Sequence, residues 1–190
     1  MKRQNIAGPI LLFILTQVIA FTSQAQDKLV ATKVGDDILM KIPESFTNMS
    51  DGERIGKYVS SRTPIAMYSS EDRLVDLGIN TNIMQLSAGD EETMRNFYRG
   101  TFQSLFDEIE YYQDTIREIN GRKFIVFEFL STLKEENAFS GPSIERNYTY
   151  IQYTSYNDQV LLFNFGCKPR LMQQWKSTAR EMMESIKIKE

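Results

Sequence analysis

The sequence predicts an α+β fold in which an antiparallel β-sheet is sandwiched between helices, an α/β/α arrangement. Three observations support this prediction: a tight hairpin turn near the middle of the chain, a following strand that is apolar on both faces, and two amphipathic helices separated by strands. Strand hairpins with separate helices are typical of layered α+β domains, whereas alternating βαβ units are typical of parallel sheets.

The hairpin is predicted at Asn120-Gly121, which separates two extended runs at 111–119 and 122–130. Asparagine followed by glycine is the strongest short-range hairpin signal, because both residues tolerate the positive φ angles of a type I′ turn. A two-residue loop also determines the register of the two strands. It places these residues opposite one another: Ile119 and Arg122, Glu118 and Lys123, and Ile116 and Ile125.

The strand after the turn has apolar side chains on both faces. One face receives Phe124, Val126 and Leu130, and the other receives Ile125, Phe127 and Phe129. Because alternate residues point to opposite sides of a sheet, such a strand has to be covered on both sides. The prediction is a central strand with one layer of structure above it and another below.

Two helices are predicted to supply those layers. Asp90 is the expected N-cap of the first, and apolar residues recur after it at steps of three and four: Met94, Phe97, Tyr98, Phe102, Leu105, Phe106 and Ile109. The second follows Pro169 and has a similar stripe, formed by Leu171, Trp175, Ala179, Met182, Met183 and Ile186. This spacing brings each set to one side of an α-helix, so both sets are expected to face the sheet.

The remaining segments complete the predicted order. A first strand covers 38–42 and ends at Pro43, and further strand patterns lie at 57–61, 65–69, 73–86, 147–156 and 159–165. Segments 26–33, 48–54 and 134–146 are predicted as a lead-in, a turn and a polar loop. Loops of about a dozen residues are either mobile or functional.

The N-terminus is typical of a secretory signal peptide, predicted to span residues 1–25. Lys2 and Arg3 precede an apolar run at 10–21, and Ser23 and Ala25 are the small residues that a signal peptidase reads. The alternative is a membrane anchor, but this run of about 12 residues is shorter than the roughly 20 that a spanning helix needs. We expect cleavage after Ala25, a single mature domain over 26–190, and a periplasmic or secreted location with no stable membrane span.

Composition excludes several functional classes. The chain contains no histidine and one cysteine, Cys167, which excludes histidine-based triads, most histidine metal sites, cysteine zinc clusters and intrachain disulfides. Cys167 is expected to be a small buried residue, with a reactive thiol as the alternative. The formal charge of −3 becomes −5 once Lys2 and Arg3 are removed, and acidic proteins are poor candidates for nucleic-acid binding. Phosphate-binding loops and the GxSxG and HExxH motifs are absent, so no cofactor or metal is predicted.

The pattern and order of these elements resemble the Mog1/PsbP-like proteins. Pro43-Glu44-Ser45-Phe46 after the first strand is similar to the family's entry of a proline, two residues and an aromatic. The helix, meander and closing helix that ends in Met183-Glu184-Ser185-Ile186 are also similar, and the resemblance covers 30–189. It implies a sheet packed between helices and roles in binding or assembly, as in photosystem subunits, a Ran-binding protein and envelope proteins. No shared catalytic residues come with it.

Glu128 is the first candidate site residue, because it lies inside the apolar run 124–130, where an unpaired carboxylate is costly to bury. It is either a pocket carboxylate with a raised pKa or a structural residue, at a sheet rim or paired with an arginine or lysine. Tyr148 and Tyr150 share one face of a later strand, where they either form a ligand surface or pack. Phe139, in the polar loop, could flank that surface. These four residues are the predicted binding site.

Two functions from different classes fit the sequence. The first is a non-catalytic exported domain that binds a protein partner or a small ligand, or takes part in assembly, in the cell envelope. The second is a hydrolase or isomerase that uses a carboxylate and tyrosines in a pocket near Glu128. Recognisable catalytic motifs are absent, which favours the first. An enzyme requires Glu128 and a second polar group to converge in a cleft, whereas a binding domain requires an apolar or aromatic surface patch.

Overall fold

The computed structural model describes residues 27–57, 63–87, 89–137, 141–157 and 159–189. The predicted signal peptide and Phe139 lie outside these ranges. Within them the chain forms ten strands and three helices, and none of these helices is both long and apolar enough to cross a membrane.

The strands are β1 (Leu29–Val34), β2 (Ile38–Pro43), β3 (Thr47–Asn48), β4 (Ala66–Ser69), β5 (Val75–Asn82), β6 (Glu108–Ile119), β7 (Arg122–Asn137), β8 (Gly141–Tyr156), β9 (Gln159–Cys167) and β10 (Lys187–Ile188). The helices are α1 (Asp51–Lys57) between β3 and β4, α2 (Glu91–Leu105) between β5 and β6, and α3 (Pro169–Glu184) between β9 and β10.

Seven of these strands form a large antiparallel sheet in the order β3-β4-β5-β9-β8-β7-β6, and β1, β2 and β10 form a small sheet in the order β1-β2-β10. The predicted turn is present, since Asn120 and Gly121 have φ angles of 49° and 82°. The predicted register is confirmed, because Glu118 lies opposite Lys123 and Ile116 opposite Ile125. The local turn signal is therefore sufficient to align β6 with β7.

The large sheet separates two apolar cores, as the two-sided pattern of β7 predicts. Phe124, Val126 and Leu130 pack on one side together with α3 and the small sheet, and Ile125, Phe127 and Phe129 pack on the other side together with α2. The predicted fold class, an antiparallel sheet between helices, is therefore confirmed.

Only part of the predicted apolar stripe of α2 faces the sheet. Tyr98 and Phe102 are buried against it, whereas Phe97 and Leu105 are 50% and 58% exposed. The expectation that Phe97 and Leu105 face the core is wrong, because a helix that lies on one sheet buries a narrower stripe than the sequence spacing suggests. Ile109 is not in the helix at all, since α2 ends at Leu105 and Ile109 belongs to β6.

The segment 48–54, predicted as a turn, contains the start of α1. Ser50 and Glu53 form a capping box: the backbone N–H of Ser50 donates to Oε2 of Glu53 at 2.8 Å, and the backbone N–H of Glu53 donates to Oγ of Ser50 at 3.4 Å. This Ser-x-x-Glu signal is visible in the sequence, but Gly52 beside it suggests a turn. The sequence predicts a strand over 57–61. This prediction is wrong for Lys57, which is the last residue of α1, and the rest of the segment lies outside the described residues.

The lead-in predicted over 26–33 is also wrong, because β1 is a strand. It pairs with β2 along its whole length, from Leu29 opposite Pro43 to Val34 opposite Ile38. Val34 is the only buried residue of β1, so the strand shows little of the apolar alternation that would identify it.

The described part of the polar segment 134–146 is a two-stranded ribbon and not the predicted loop. β7 and β8 stay paired along the described part of this segment. The pairing of β6 with β7 ends at Thr132, and the pairing of β9 with β8 begins at Tyr148. The part of the hairpin over 133–147, called the ribbon below, therefore projects beyond its neighbours. Most of its described side chains are exposed, which explains why its sequence resembles that of a loop.

A matched pair of glycine substitutions tests the turn. Gly121→Ala is expected to lower the free energy of unfolding by about 1 kcal/mol, because alanine is strained at positive φ. Gly100 lies on the exposed side of α2, where an added Cβ meets no atom within 4 Å. Gly100→Ala is therefore expected to raise the free energy of unfolding by about 0.5–1 kcal/mol. Urea unfolding followed by circular dichroism measures both changes, and shifts of the same sign would contradict the type I′ turn.

Candidate functional site

Glu128 lies on the α3 side of the large sheet, in a row of side chains that crosses the strands. The strand register places it between Gln113 of β6 and Tyr150 of β8. Its side chain is 0% exposed. A carboxylate at such a position needs hydrogen bonds and an opposite charge, because burial removes its hydration.

A β-bulge in β6 brings Gln113 to this side of the sheet. Tyr111 and Ile116 both pack on the α2 side, although an odd number of positions separates them. The register shifts between Tyr111 and Gln113, where Tyr112 is the extra residue. Bulges of this kind redirect side chains. As a result, Tyr112 and Gln113 both face α3, beside Glu128.

Four side chains contact the Glu128 carboxylate. Arg180 of α3 donates to Oε2 from Nη2 at 2.8 Å and from Nε at 3.1 Å, and the Gln113 amide donates to the same oxygen. The Tyr148 hydroxyl donates to Oε1 at 2.9 Å, and Nζ of Lys176 lies 3.4 Å from Oε1. Each carboxylate oxygen thus has at least two partners, which come from β6, β8 and α3.

These contacts keep Glu128 ionised. Burial by itself raises the pKa of the Glu128 carboxyl, but hydrogen bonds from Gln113, Arg180 and Tyr148 outweigh burial and hold that pKa below its ordinary value. Burial and the charge of Glu128 raise the pKa of the Tyr148 hydroxyl. The hydrogen bond to Glu128 likewise raises the pKa of Arg180. At neutral pH the site therefore contains an anion, two cations and a protonated phenol.

The outer edge of the site is formed by charged side chains that reach solvent. Nζ of Lys176 lies 3.7 Å from the centre of the Tyr112 ring, a cation–π contact. Arg117 of β6 pairs with Glu184 of α3 at 3.0 Å. The side chains of Lys176 and Arg180 are 26% and 43% exposed, so the cations contact water while the carboxylate beneath them does not.

The structure brings two of the four predicted site residues into contact, Glu128 and Tyr148. Tyr150 is next to Glu128 in the register, but its hydroxyl accepts from Nε2 of Gln152 at 3.5 Å. Phe139 lies outside the described residues. Both tyrosines are 0% exposed, so the geometry favours packing and pairing over a ligand surface. The binding role of these residues stays a prediction.

Sequence reasoning missed the residues that pair with Glu128. Lys176 and Arg180 are four positions apart, next to Trp175 and Ala179 of the predicted apolar stripe, so they lie at the border of the buried face. Two cations at that border were the available signal that α3 meets a buried anion. The position of Gln113 beside Glu128 could not be predicted, because it depends on the β-bulge at Tyr112 and no sequence pattern indicates that bulge.

Cys167 and a surface depression are the other places where chemistry could occur. Cys167 is buried, and burial raises the pKa of its thiol to about 12, so it is protonated at neutral pH and a poor nucleophile.

A shallow depression of about 150 Å³ is lined by Met49, Glu53, Lys57 and Arg73. Its charges are paired, since Arg73 contacts Glu53 at 2.8 Å and Lys57 contacts Asp76 at 3.0 Å. Among the described residues, no group of three or more Asp, Glu or Cys side chains is arranged to hold a metal ion.

Comparison with solved structures identifies the fold. CyanoP, the cyanobacterial PsbP of Synechocystis sp. PCC 6803, is similar over 88% of this chain and 95% of its own, with 11% identity and a TM-score of 0.55. LpqN of Mycobacterium tuberculosis is similar over 87% of this chain and 91% of its own, with 13% identity and a TM-score of 0.50. The chain has the Mog1/PsbP fold. The resemblance seen in the sequence is therefore confirmed at the level of fold.

The same comparison extends to the Ran-binding protein Mog1p of Saccharomyces cerevisiae, which is similar over 85% of this chain and 96% of its own, with 12% identity and a TM-score of 0.48. No family model matches the sequence, and no curated protein matches it. In this chain, Glu128 and its partners form an ionic cluster on a Mog1/PsbP fold.

The pH dependence of stability tests the charge of Glu128. The pKa of this carboxyl is lower in the folded chain than its unfolded value of about 4.3, so its ionisation contributes stability above that pH and the contribution is lost as the pH falls through the folded pKa. The difference in free energy of unfolding between the wild type and Glu128→Gln is expected to shrink between about pH 7 and pH 3. Glu181→Gln, in an exposed pair with Lys41, is measured beside it as the control for a glutamate-to-glutamine change at the surface. A constant difference would show that folding leaves the pKa of Glu128 unchanged, and a difference that grows as the pH falls would show that folding raises it.

A double-mutant cycle tests the pairing with Arg180. Arg180→Met leaves a buried carboxylate without its main partner and is expected to cost about 3 kcal/mol. Glu128→Gln leaves a cation that can turn to solvent, so a smaller loss of about 1–2 kcal/mol is expected. The double variant should lose less than the sum, and urea unfolding at neutral pH measures all three. Strictly additive losses would contradict a direct interaction, and Lys41→Met in the exposed pair should cost about 0–1 kcal/mol.

Proposed function

We propose that this chain is a non-catalytic binding or assembly domain that is exported to the cell envelope, where it binds a protein partner. The observation that supports this most is the paired state of Glu128, whose two oxygens accept hydrogen bonds from Arg180, Tyr148 and Gln113. A general acid needs a proton to donate, and a nucleophile needs an accessible oxygen. A buried, ionised carboxylate whose oxygens are already bonded has neither.

The envelope location is proposed on two grounds. The predicted signal peptide over 1–25 would direct export, to the periplasm or out of the cell. LpqN, which shares the fold, is involved in cell envelope biogenesis of Mycobacterium tuberculosis. The fold therefore occurs in a protein that is involved in making a cell envelope, which supports the proposed location.

The outer face of α2 is the surface that we propose for the partner. Phe97 and Leu105 are exposed on it, two helical turns apart. The hydroxyls of Thr101 and Ser104, between them, each donate to a main-chain oxygen of the same helix at 3.0 Å. The sequence over 100–106 contains no charged residue. This face of α2 is therefore apolar and has few polar groups available for hydrogen bonds. Such a surface is suited to bind an apolar segment of another protein and not a charged ligand.

Site-specific photocrosslinking in the native host tests the proposal. A photoreactive amino acid at Phe97 or Leu105 is expected to give the same protein adduct. The same amino acid at Ile144, which is 68% exposed on the ribbon, serves as the control and should not give that adduct. The purified partner should then bind the Phe97→Ser, Leu105→Ser double variant about tenfold more weakly, because apolar contact area is lost.

Three outcomes would contradict the proposal. An adduct that forms from Ile144 and not from α2 would place the partner on another surface. Turnover of a substrate that is lost in Glu128→Gln, while the variant keeps its folded circular dichroism spectrum, would favour the hydrolase or isomerase alternative. A purified chain that carries a small molecule, and gives no protein adduct, would show that the partner is a small ligand.

A further inference from the structure

The side chain of Asn120, in the turn between β6 and β7, contacts the C-terminal end of α3. Its Nδ2 donates to the main-chain oxygen of Ile186 at 2.8 Å and to that of Glu184 at 3.4 Å. The last carbonyl groups of a helix have no partner within the helix. Asn120 therefore supplies one hydrogen bond to Glu184, the last residue of α3, and a shorter one to Ile186, just beyond the helix.

The same asparagine lies in a sequence and a position that favour loss of its amide. Asn120 and Gly121 are both exposed at the turn. Gly121 has no side chain, and no atom lies within 4 Å of the position that a Cβ would occupy. The backbone nitrogen of Gly121 is therefore an unhindered nucleophile next to the amide of Asn120.

We propose that Asn120 is a site of spontaneous deamidation, and that its product releases the C-terminal end of α3. The backbone nitrogen of Gly121 attacks Cγ of Asn120, where a new C–N bond forms and the bond to Nδ2 breaks. Ammonia leaves with the proton of the Gly121 amide, which gives a five-membered succinimide. Water then opens this ring at either carbonyl and yields aspartate or isoaspartate. Water is the only other reactant, and no atom changes its oxidation state.

The reaction depends on opening of the α3 end. Nδ2 of Asn120 is hydrogen-bonded to the main-chain oxygens of Ile186 and Glu184. While these bonds are formed, the side-chain amide of Asn120 cannot rotate toward the backbone nitrogen of Gly121. The two hydrogen bonds have to break before the ring can close. The rate of deamidation therefore follows the frequency of this local opening.

The product cannot restore the contact. A carboxylate at position 120 has no proton to donate at neutral pH. It would also face two carbonyl oxygens at the negative end of the α3 dipole. Conversion of Asn120 to an acid thus prevents its contact with the end of α3 from forming again.

Peptide mapping by mass spectrometry tests the site. The purified protein is incubated at mildly alkaline pH, and the acid form of each asparagine is quantified over time. Asn157 is the internal control, because it has the same φ of 49° but is followed in the sequence by Asp158, which has a side chain. Asn120 is expected to convert well before Asn157. Equal conversion at the two positions, or earlier conversion of Asn157, would overturn the assignment.

A substitution at the other side of the contact tests the dependence on opening. Ile186 is 1% exposed, and Ile186→Ala is expected to loosen the end of α3. Asn120 should then convert faster than in the wild type, while Asn157 converts at its wild-type rate. Ile186→Val provides a milder version if the alanine variant does not fold. An unchanged rate at Asn120 in a folded variant would overturn the dependence on opening.

Two substitutions at Asn120 test the consequence. Asn120→Asp imitates the aspartate product, and Asn120→Gly removes the same donor without adding a charge and tolerates the positive φ. The Tm of Asn120→Asp is expected to lie about 2–4 °C below that of Asn120→Gly. Added salt should narrow this gap, because the difference between the variants is electrostatic. Equal Tm values would overturn the proposed effect of the charge.

Discussion

The placement of α3 on the sheet depends on one buried carboxylate. Glu128 lies on a strand with aromatic and aliphatic neighbours on both sides, and its two oxygens are bonded by groups from β6, β8 and α3. Apolar contacts alone would permit α3 to slide or rotate on the sheet, since they have little directional preference. The contacts of Arg180 and Lys176 with Glu128 are directional, so they favour one position of the helix. We interpret the cluster as a device that helps to position α3, since a buried ion pair is weak evidence for net stability.

On the opposite side of the sheet, aromatic stacking contributes to the packing of α2. Tyr98 of α2 stacks on Tyr153 of β8, with ring centroids 3.8 Å apart, and Phe102 meets the edge of Phe127 at 5.2 Å. These contacts hold α2 through the area of its rings, and they use only the inner stripe of the helix. Phe97 and Leu105 consequently lie on the outer side of the helix. Charge and aromatic packing occur on both faces of the sheet, since Arg95 and Arg99 of α2 pair with Asp114 of β6, and Trp175 of α3 packs against aromatic rings.

The parts of this structure that follow from short stretches of sequence could be predicted. Asn120-Gly121 determines the register of β6 and β7, and the alternation over 124–130 shows that β7 is covered on both sides. Apolar alternation is absent where both faces of a strand reach solvent. The sequence of the ribbon therefore resembles that of a loop. The environment of Glu128 was not predictable in detail, because Arg180 lies 52 positions further along the chain and the bulge at Tyr112 has no sequence signature.

The ribbon gives β7 two environments along one continuous strand. Near Phe127 its amides lie between two cores, where exchange with solvent hydrogen requires most of the molecule to unfold. Beyond Thr132 the described part of the strand has β8 as its only neighbour in the sheet, so its amides exchange once β7 and β8 separate locally. The buried centre of β7 and its exposed end therefore differ in how their amides exchange with solvent, although both belong to one continuous strand.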